Sequence, residues 1–170
     1  RVAVFALLSM GFILVNGFWA PAMLSIYLCG AAVLICVVLG GLIGIWAAGN
    51  DTVSGVFRPI NDTLQTMPQF VLLIPAFMLF KVGAFPALLA VIAYAIVPMI
   101  RYVEHGLRSV PSEIVEAAKQ MGCTSRQMLF EVKLPLALPI IMLGINQTIM
   151  YGLSMLVIAA LVGTQGLGQK

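Results

Sequence analysis

The side chains in this sequence that could do chemistry are few, and they gather in two places. The first is a run of charged residues between Arg101 and Lys133, with five basic and four acidic side chains. This run holds the only histidine, His105, but no set of acid and nucleophile stands beside it to make a catalytic group. No lysine follows a glycine, so there is no phosphate-binding Gly-Lys pair. The sequence therefore predicts no catalytic residue, metal site or cofactor site in this chain.

The second place is a polar stripe on an apolar segment near the C-terminal end. Gly144, Gln147, Tyr151 and Ser154 fall within about 80° of one another on a helix with roughly 100° per residue. Such a stripe either hydrogen-bonds to neighbouring helices, at about 0.6 kcal/mol per contact, or lines a path for a polar solute. The residues alone leave both interpretations open. In the second, Tyr151 would offer a cation–π contact to a cationic solute.

The composition decides which kind of element must position these residues. Hydrophobic residues make up 62% of the 170 residues, charged residues make up 9%, and the mean hydropathy is +1.10. A soluble domain carries roughly 25% charged residues, so this chain cannot cover a surface that faces water. We therefore predict an all-α, polytopic membrane protein, and the same figures argue against a disordered chain or a secreted disulfide scaffold.

The apolar residues form about five segments that are long enough, or nearly so, to span a membrane. They cover residues 2–19, 22–48, 67–80, 85–100 and 138–162. We divide the chain into an N-terminal span at 1–21, for which a signal peptide is the competing interpretation, and a membrane domain at 22–170 with a loop at 102–137. Alternating the spans puts seven of the nine basic residues on one side, which predicts that the loop faces the cytoplasm.

Small residues recur every four positions in the second segment, at Gly40, Gly44 and Ala48. This spacing lets two helix backbones approach closely. It predicts a packing surface, with a hinge as the alternative.

The loop has the sequence pattern of two short helices. Ser112 can cap the first helix, which has an apolar stripe and ends at a glycine. Thr124 and Gln127 form a capping box for the second helix, which we expect to end at Pro135. The members of the apolar stripe are Ile114, Ala117, Ala118 and Met121. An apolar face on a unit with no core of its own must pack against a partner or against the rest of the bundle.

The loop resembles a known signature. Glu116-Ala-Ala, three residues, Gly122, nine residues and then Val132-Lys-Leu-Pro135 matches the E-A-A-x3-G-x9-I-x-L-P motif of the membrane subunits of binding-protein-dependent ABC importers, with valine in place of isoleucine. The resemblance implies that the loop docks on a separate ATPase. The docking residues it implies are Glu116, Ala117, Ala118, Gly122, Cys123 and Arg126.

Further stretches are similar to the permease subunits of glycine betaine/proline betaine (quaternary amine) uptake systems. They include the residues at 64–70, 98–101, 134–139, 146–148 and 166–169. The resemblance implies the type I ABC importer transmembrane fold, a second permease copy, a solute-binding protein, and ATP with Mg²⁺ held by the ATPase rather than this chain. It implies a bacterial inner membrane location. Since that family continues beyond the final Gly-Leu-Gly-Gln, we also expect C-terminal spans to be missing here.

Three other functions compete with this interpretation. A membrane-tethered helix-turn-helix regulator would need a strongly positive face, whereas residues 101–133 have a net charge of only +1, so we expect no nucleic-acid partner. A secondary transporter or channel usually shows inverted repeats or ionisable residues inside its spans, and we see neither in the sequence. An importer of another small solute, such as an amino acid, fits the loop motif equally well.

Overall fold

The computed structural model describes residues 11, 12, 14–81 and 83–161, and this part of the chain contains helices but no strand. One six-residue segment, Met128–Lys133, is a π-helix. The α-helices in chain order are α1 (Trp19–Gly49), α2 (Asp51–Thr66), α3 (Gln69–Phe80), α4 (Ala84–Arg108), α5 (Ser112–Gln120), α6 (Ser125–Gln127) and α7 (Leu134–Leu161).

Among the residues that the structure describes, three helices are long and apolar enough to cross a membrane, which confirms the prediction of an all-α polytopic protein. They are α1, α4 and the continuous helix Ser125–Leu161 that contains α7. Most of the first predicted span, residues 2–10, lies outside the described residues. The third predicted span is wrong as a separate crossing, because α3 has 12 residues and so rises only about 18 Å. Together α2 and α3 form a pair bent by 94°, which counts as a fourth span if it crosses as one unit.

The three long helices pack closely where their residues are small. A Cβ on Gly44 of α1 would lie 2.7 Å from Val103 Cβ of α4, and a Cβ on Gly144 of α7 would lie 2.6 Å from Tyr102 Cβ of α4. Only glycine therefore permits these helix distances. The packing interpretation of the Gly40 and Gly44 spacing is confirmed, since both glycines meet side chains of α4.

The polar residues after Gly49 form helix α2 rather than an irregular connection. Asn50 starts this helix, because its side-chain oxygen accepts hydrogen bonds from the backbone N–H of Thr52 at 2.9 Å and of Val53 at 3.4 Å. Ser54 and Asn61, two turns apart, are buried. The polar face of α2 thus points into the protein, and this places it beside α4.

The loop unit, residues 109–124, has the ends that the sequence predicts, with one exception. Gly122 has φ +83°, and the N–H of Cys123 donates to the Ala118 carbonyl at 3.2 Å, which closes α5 with a Schellman turn. Thr124 and Gln127 form the predicted capping box. The prediction that Ser112 caps α5 is wrong: Pro111 occupies the cap position, and Ser112 is already inside the first turn.

The helix after the loop unit does not end at Pro135, contrary to the prediction. It continues to Leu161. The π-helix, Met128–Lys133, ends two residues before the proline, and the N–H of Leu134 donates to the carbonyl of Leu129, five residues earlier. A proline crowds the carbonyl four residues earlier in an α-helix, whereas the bonds of a π-turn reach five residues back, so the register of the helix changes just before Pro135. Residues 125–137 therefore belong to the long helix.

Candidate functional site

A cleft of about 710 Å³ opens between α2, α4 and α7. Each helix contributes side chains at helical spacing, so each wall is one helix face. The lining residues are Arg58, Asp62 and Gln65 from α2, Pro98, Arg101, Tyr102, Glu104, His105 and Arg108 from α4, and Gln147 and Tyr151 from α7. The cleft therefore contains three arginines and two acids beside aromatic rings. It lies towards the end of α4 that leads into the loop unit.

Glu104 is the buried centre of the charged residues. Its Oε1 accepts hydrogen bonds from Ser54 Oγ at 2.5 Å and Arg58 Nη2 at 3.1 Å, and it lies 3.2 Å from Arg108 Nε. A buried carboxylate needs such partners, because burial without them removes its hydration at a large cost in free energy. Two positive charges therefore face this one carboxylate, and Asp51 balances the second of them through its own pair with Arg108.

Two further ion pairs join the elements around the cleft. Arg108 Nη2 lies 2.7 Å from Asp51 Oδ1 and donates to the carbonyl of Ala47 at 2.9 Å, so it connects α4 to the end of α1 and the start of α2. Arg101 of α4 pairs with Asp62 of α2. These contacts fix the polar face of α2 against the half of α4 nearest to the loop unit.

The structure places two of the three predicted path residues in the cleft. Gln147 and Tyr151 line it, and the Tyr151 ring packs on the Tyr94 ring with centroids 5.2 Å apart and planes tilted by 30°. Ser154 is exposed, does not line the cleft, and donates its hydroxyl to the carbonyl of Met150 at 2.9 Å. The predicted stripe therefore separates into a cleft part and an outer part.

The predicted docking residues lie in or beside the loop unit, with different exposure. Glu116, Ala117, Gly122 and Arg126 are exposed, Cys123 is partly buried, and Ala118 is buried against the protein. The Arg126 guanidinium lies 6.0 Å from the centroid of the Phe130 ring. Of the apolar stripe on α5, only Ala118 turns inward, while Met121 is 86% exposed. An apolar surface thus remains available on the outer side of α5.

Sequence reasoning missed the Ser54, Arg58 and Glu104 group. Glu104 was counted with the loop charges, although it is buried inside the helix before the loop. Two spacings in the sequence indicate charged helix faces. Arg101, Glu104 and Arg108 lie on one helix face, and Arg58 and Asp62 are four residues apart. Neither spacing shows that the two sets meet, because Arg58 is 46 residues from Glu104 in the chain and Asp62 is 39 residues from Arg101.

The long apolar helices, the exposed loop unit and the charged cleft between the helices describe a polytopic membrane protein. The family model of binding-protein-dependent transport system inner membrane components matches residues 40–170. The chain belongs to this family, whose members are transport permeases.

Curated relatives match nearly the whole chain. It is 44% identical to the glycine betaine transport system permease protein OpuAB of Bacillus subtilis, over 99% of this chain and 60% of the relative. It is 44% identical to the glycine betaine/proline betaine transport system permease protein ProW of Escherichia coli, over 90% of this chain and 43% of the relative. The trimethylamine N-oxide transport system permease protein TmoV of Ruegeria pomeroyi is 42% identical, over 100% of this chain and 26% of the relative. The chain thus spans 60% or less of the length of these relatives.

Solved structures share the fold. An inward-facing structure of the MetNI methionine ABC transporter superposes with a TM-score of 0.77 at 23% identity, over 95% of this chain and 79% of that chain. The crystal structure of an amino acid ABC transporter with histidines gives a TM-score of 0.77 at 19% identity, over 95% of this chain and 78% of that chain. The predicted type I ABC importer transmembrane fold is therefore confirmed.

Proposed function

We propose that this protein is the permease subunit of an ATP-driven importer for compatible solutes such as glycine betaine, proline betaine or choline. The observation that carries the proposal is the 44% identity to a glycine betaine permease along 99% of the chain. The relative that carries trimethylamine N-oxide favours the same solute class, because both solutes have a methylated ammonium nitrogen. The chain itself is non-catalytic, and ATP and Mg²⁺ bind to a partner ATPase.

The loop unit is the docking element for that ATPase. Glu116 and Ala117 are exposed on the same short helix as Met121, so a partner can cover an apolar and an acidic side chain together. The Schellman turn at Gly122 fixes where α5 ends and the long helix begins. A displacement of α5 is therefore transmitted to the long helix that carries Gln147 and Tyr151.

Labelling of Cys123 tests the docking role. This thiol is partly buried in the free subunit, whereas Cys29 and Cys36 are buried in the bundle. With Cys29 and Cys36 replaced by alanine, we expect a thiol reagent to modify Cys123 in the isolated subunit and much more slowly in the complex with the ATPase. Equal rates in both forms would contradict docking at this turn.

The translocation path runs along the face of α7 that carries Gln147, Tyr151 and Ser154. Two of these residues line the cleft, and the third is exposed one turn beyond Tyr151. Single cysteines at these three positions should react with a small water-soluble thiol reagent, whereas cysteines at Ile149 and Leu156, on other faces of the helix, should not. Protection of all three positions, with and without ATP, would leave them as helix-packing residues.

The other components follow the family arrangement. Two permease copies form the path, a solute-binding protein delivers the solute from outside, and the assembly lies in the bacterial cytoplasmic membrane with the loop unit facing the cytoplasm. The membrane domain includes α1 from Trp19 onward, so the boundary expected at residues 21 and 22 falls inside a helix, and the coupling loop falls within 102–137. Cross-linking of single cysteines between copies tests the dimer.

Transport in cells tests the function. A strain without its own betaine transporters should accumulate labelled glycine betaine when it expresses the full-length protein with its ATPase and binding protein. The same strain without the permease is the control. Excess unlabelled choline or trimethylamine N-oxide should compete if the site recognises methylated ammonium groups. Competition by an amino acid alone would instead favour a different small-solute importer.

A further inference from the structure

The cleft places an aromatic ring and an arginine at different depths between the same two helices. Two contacts fix the antiparallel register of α4 and α7: the Tyr94 ring packs on the Tyr151 ring, and Gly144 meets Tyr102. Arg101 lies seven residues after Tyr94 along α4, which corresponds to roughly 10 Å at 1.5 Å per residue. Arg101 and Tyr151 both line the cleft, so they face the same space from two levels.

The three arginines of the cleft are not equally available to a ligand. Arg58 and Arg108 both hold the carboxylate of Glu104, whose side chain is only 7% exposed. Arg101 pairs instead with Asp62, whose side chain is 62% exposed. An exposed ion pair contributes about 1 kcal/mol or less, so a carboxylate that enters the cleft can replace Asp62 at little cost. Arg101 is therefore the arginine that can exchange its partner.

The tyrosine at the deeper level suits a different chemical group. The Tyr151 ring packs on Tyr94, which is buried, and Tyr151 itself is only partly buried and lines the cleft. An aromatic face attracts a quaternary ammonium ion within about 6 Å of its centroid, and the attraction grows when water is excluded. No acidic side chain among the residues that line the cleft comes from α7, so on this wall the ring is the group that suits a cation.

We propose that the inner end of this cleft is a transient binding site for the transported solute, in which Arg101 holds a carboxylate and the Tyr151 ring holds a quaternary ammonium group. This assignment rests on the proposed function. Arg101 and Tyr151 line the same cleft from different helices and at different levels, an arrangement that suits a small zwitterion, with its carboxylate in a charge-assisted hydrogen bond and its ammonium group against the ring.

Protection of a reporter thiol tests the site without requiring transport. The reporter is Gln147→Cys in the full-length permease, assembled with its ATPase, after replacement of Cys29, Cys36 and Cys123. Its rate of alkylation is measured against glycine betaine, against choline, which has the same ammonium group but no carboxylate, and against sucrose at equal osmolarity. We expect glycine betaine to protect at several-fold lower concentration than choline, and sucrose not to protect.

The decisive comparison uses variants of Arg101 and Tyr151, the two residues proposed to bind the solute, and of Asp62, whose carboxylate competes for Arg101. Arg101→Gln should raise the half-protecting concentration of glycine betaine about tenfold and leave that of choline within twofold. Tyr151→Leu should weaken protection by both solutes, while Tyr151→Phe keeps it. Asp62→Asn should strengthen protection by glycine betaine, because the competing carboxylate is gone. If the pair of Arg101 and Asp62 were purely structural, Asp62→Asn would not strengthen protection. Both Arg101→Gln and Asp62→Asn would then weaken protection by glycine betaine or leave it unchanged.

Two results would overturn the site. One is protection by glycine betaine no better than by sucrose, and the other is an equal effect of Arg101→Gln on both solutes. The matched control is Tyr27→Leu, at an exposed tyrosine on α1. It should change the half-protecting concentration of neither glycine betaine nor choline. If the protein takes up no betaine in cells, the proposed function fails separately. If it takes up betaine but shows no protection, only the site fails.

Discussion

Gly44 offers the sharpest test of how the bundle is packed. An alanine there would place its Cβ 2.7 Å from Val103 Cβ and 2.9 Å from the carbonyl oxygen of Ile100. Carbon atoms in contact lie about 3.5 to 4.0 Å apart, so α1 and α4 would have to separate by roughly 1 Å at their crossing. Neither contact atom can move alone, because one is a Cβ and the other belongs to the helix backbone.

The change in the free energy of unfolding that Gly44→Ala should cause follows from two opposing effects. Overpacking a close-packed site lowers the free energy of unfolding by about 1 to 3 kcal/mol, whereas replacing a helical glycine with alanine raises it by about 1 kcal/mol. We expect Gly44→Ala to lower the free energy of unfolding by about 0 to 2 kcal/mol. Gly41→Ala meets only Met99 Cε at 3.8 Å, and Gly30→Ala meets nothing within 4 Å. These two controls on the same helix should gain up to about 1 kcal/mol.

Equilibrium unfolding of the purified protein in detergent, for glycine variants made in the same background, measures the difference. The expected gap between Gly44→Ala and either control is about 2 kcal/mol. A Gly44→Ala protein as stable as Gly41→Ala would refute the close approach of α1 and α4, and with it the role of the four-residue spacing.

Three further predictions concern the loop unit and the buried charge. Gly122→Val should abolish the stimulation of ATPase activity by loaded binding protein in liposomes, because φ +83° strains a β-branched residue, while Gly122→Asn should keep it. Wild-type coupling in the valine variant would contradict this. Glu104→Ala should lower the free energy of unfolding by about 2 kcal/mol, and the exposed Glu131→Ala should not. Thr124→Ala should destabilise the helix start by about 1 kcal/mol and speed hydrogen exchange at the Gln127 amide, an effect that an unchanged exchange rate would disprove.

The features that the sequence predicts well are those decided by neighbouring residues. The left-handed Gly122 and the capping box of Thr124 and Gln127 depend on side chains within a few positions, and both are present. The spacing of Gly40 and Gly44 is also local and correctly indicates a packing face. In each case one residue type satisfies a backbone or steric requirement that few others can meet.

The features that the sequence misses depend on distant contacts or on a change of helix type. Pro135 signals a helix end, but the chain passes through a π-helix just before it and the helix continues to Leu161. The burial of Glu104 depends on Ser54 and Arg58, which belong to another helix. For the cleft, the stripe of Gln147 and Tyr151 was visible in the sequence, whereas the arginines opposite it became part of the site only through folding.

Uptake by the purified system is the measurement that tests the central claim most directly. The full-length protein is reconstituted in liposomes with its ATPase inside and its loaded binding protein outside, and accumulation of labelled glycine betaine is followed with time. We expect accumulation against a gradient that requires both ATP and the binding protein. Accumulation that proceeds without ATP or without the binding protein, or no accumulation of any methylated ammonium solute, would contradict the assignment of this chain to an ATP-driven betaine importer.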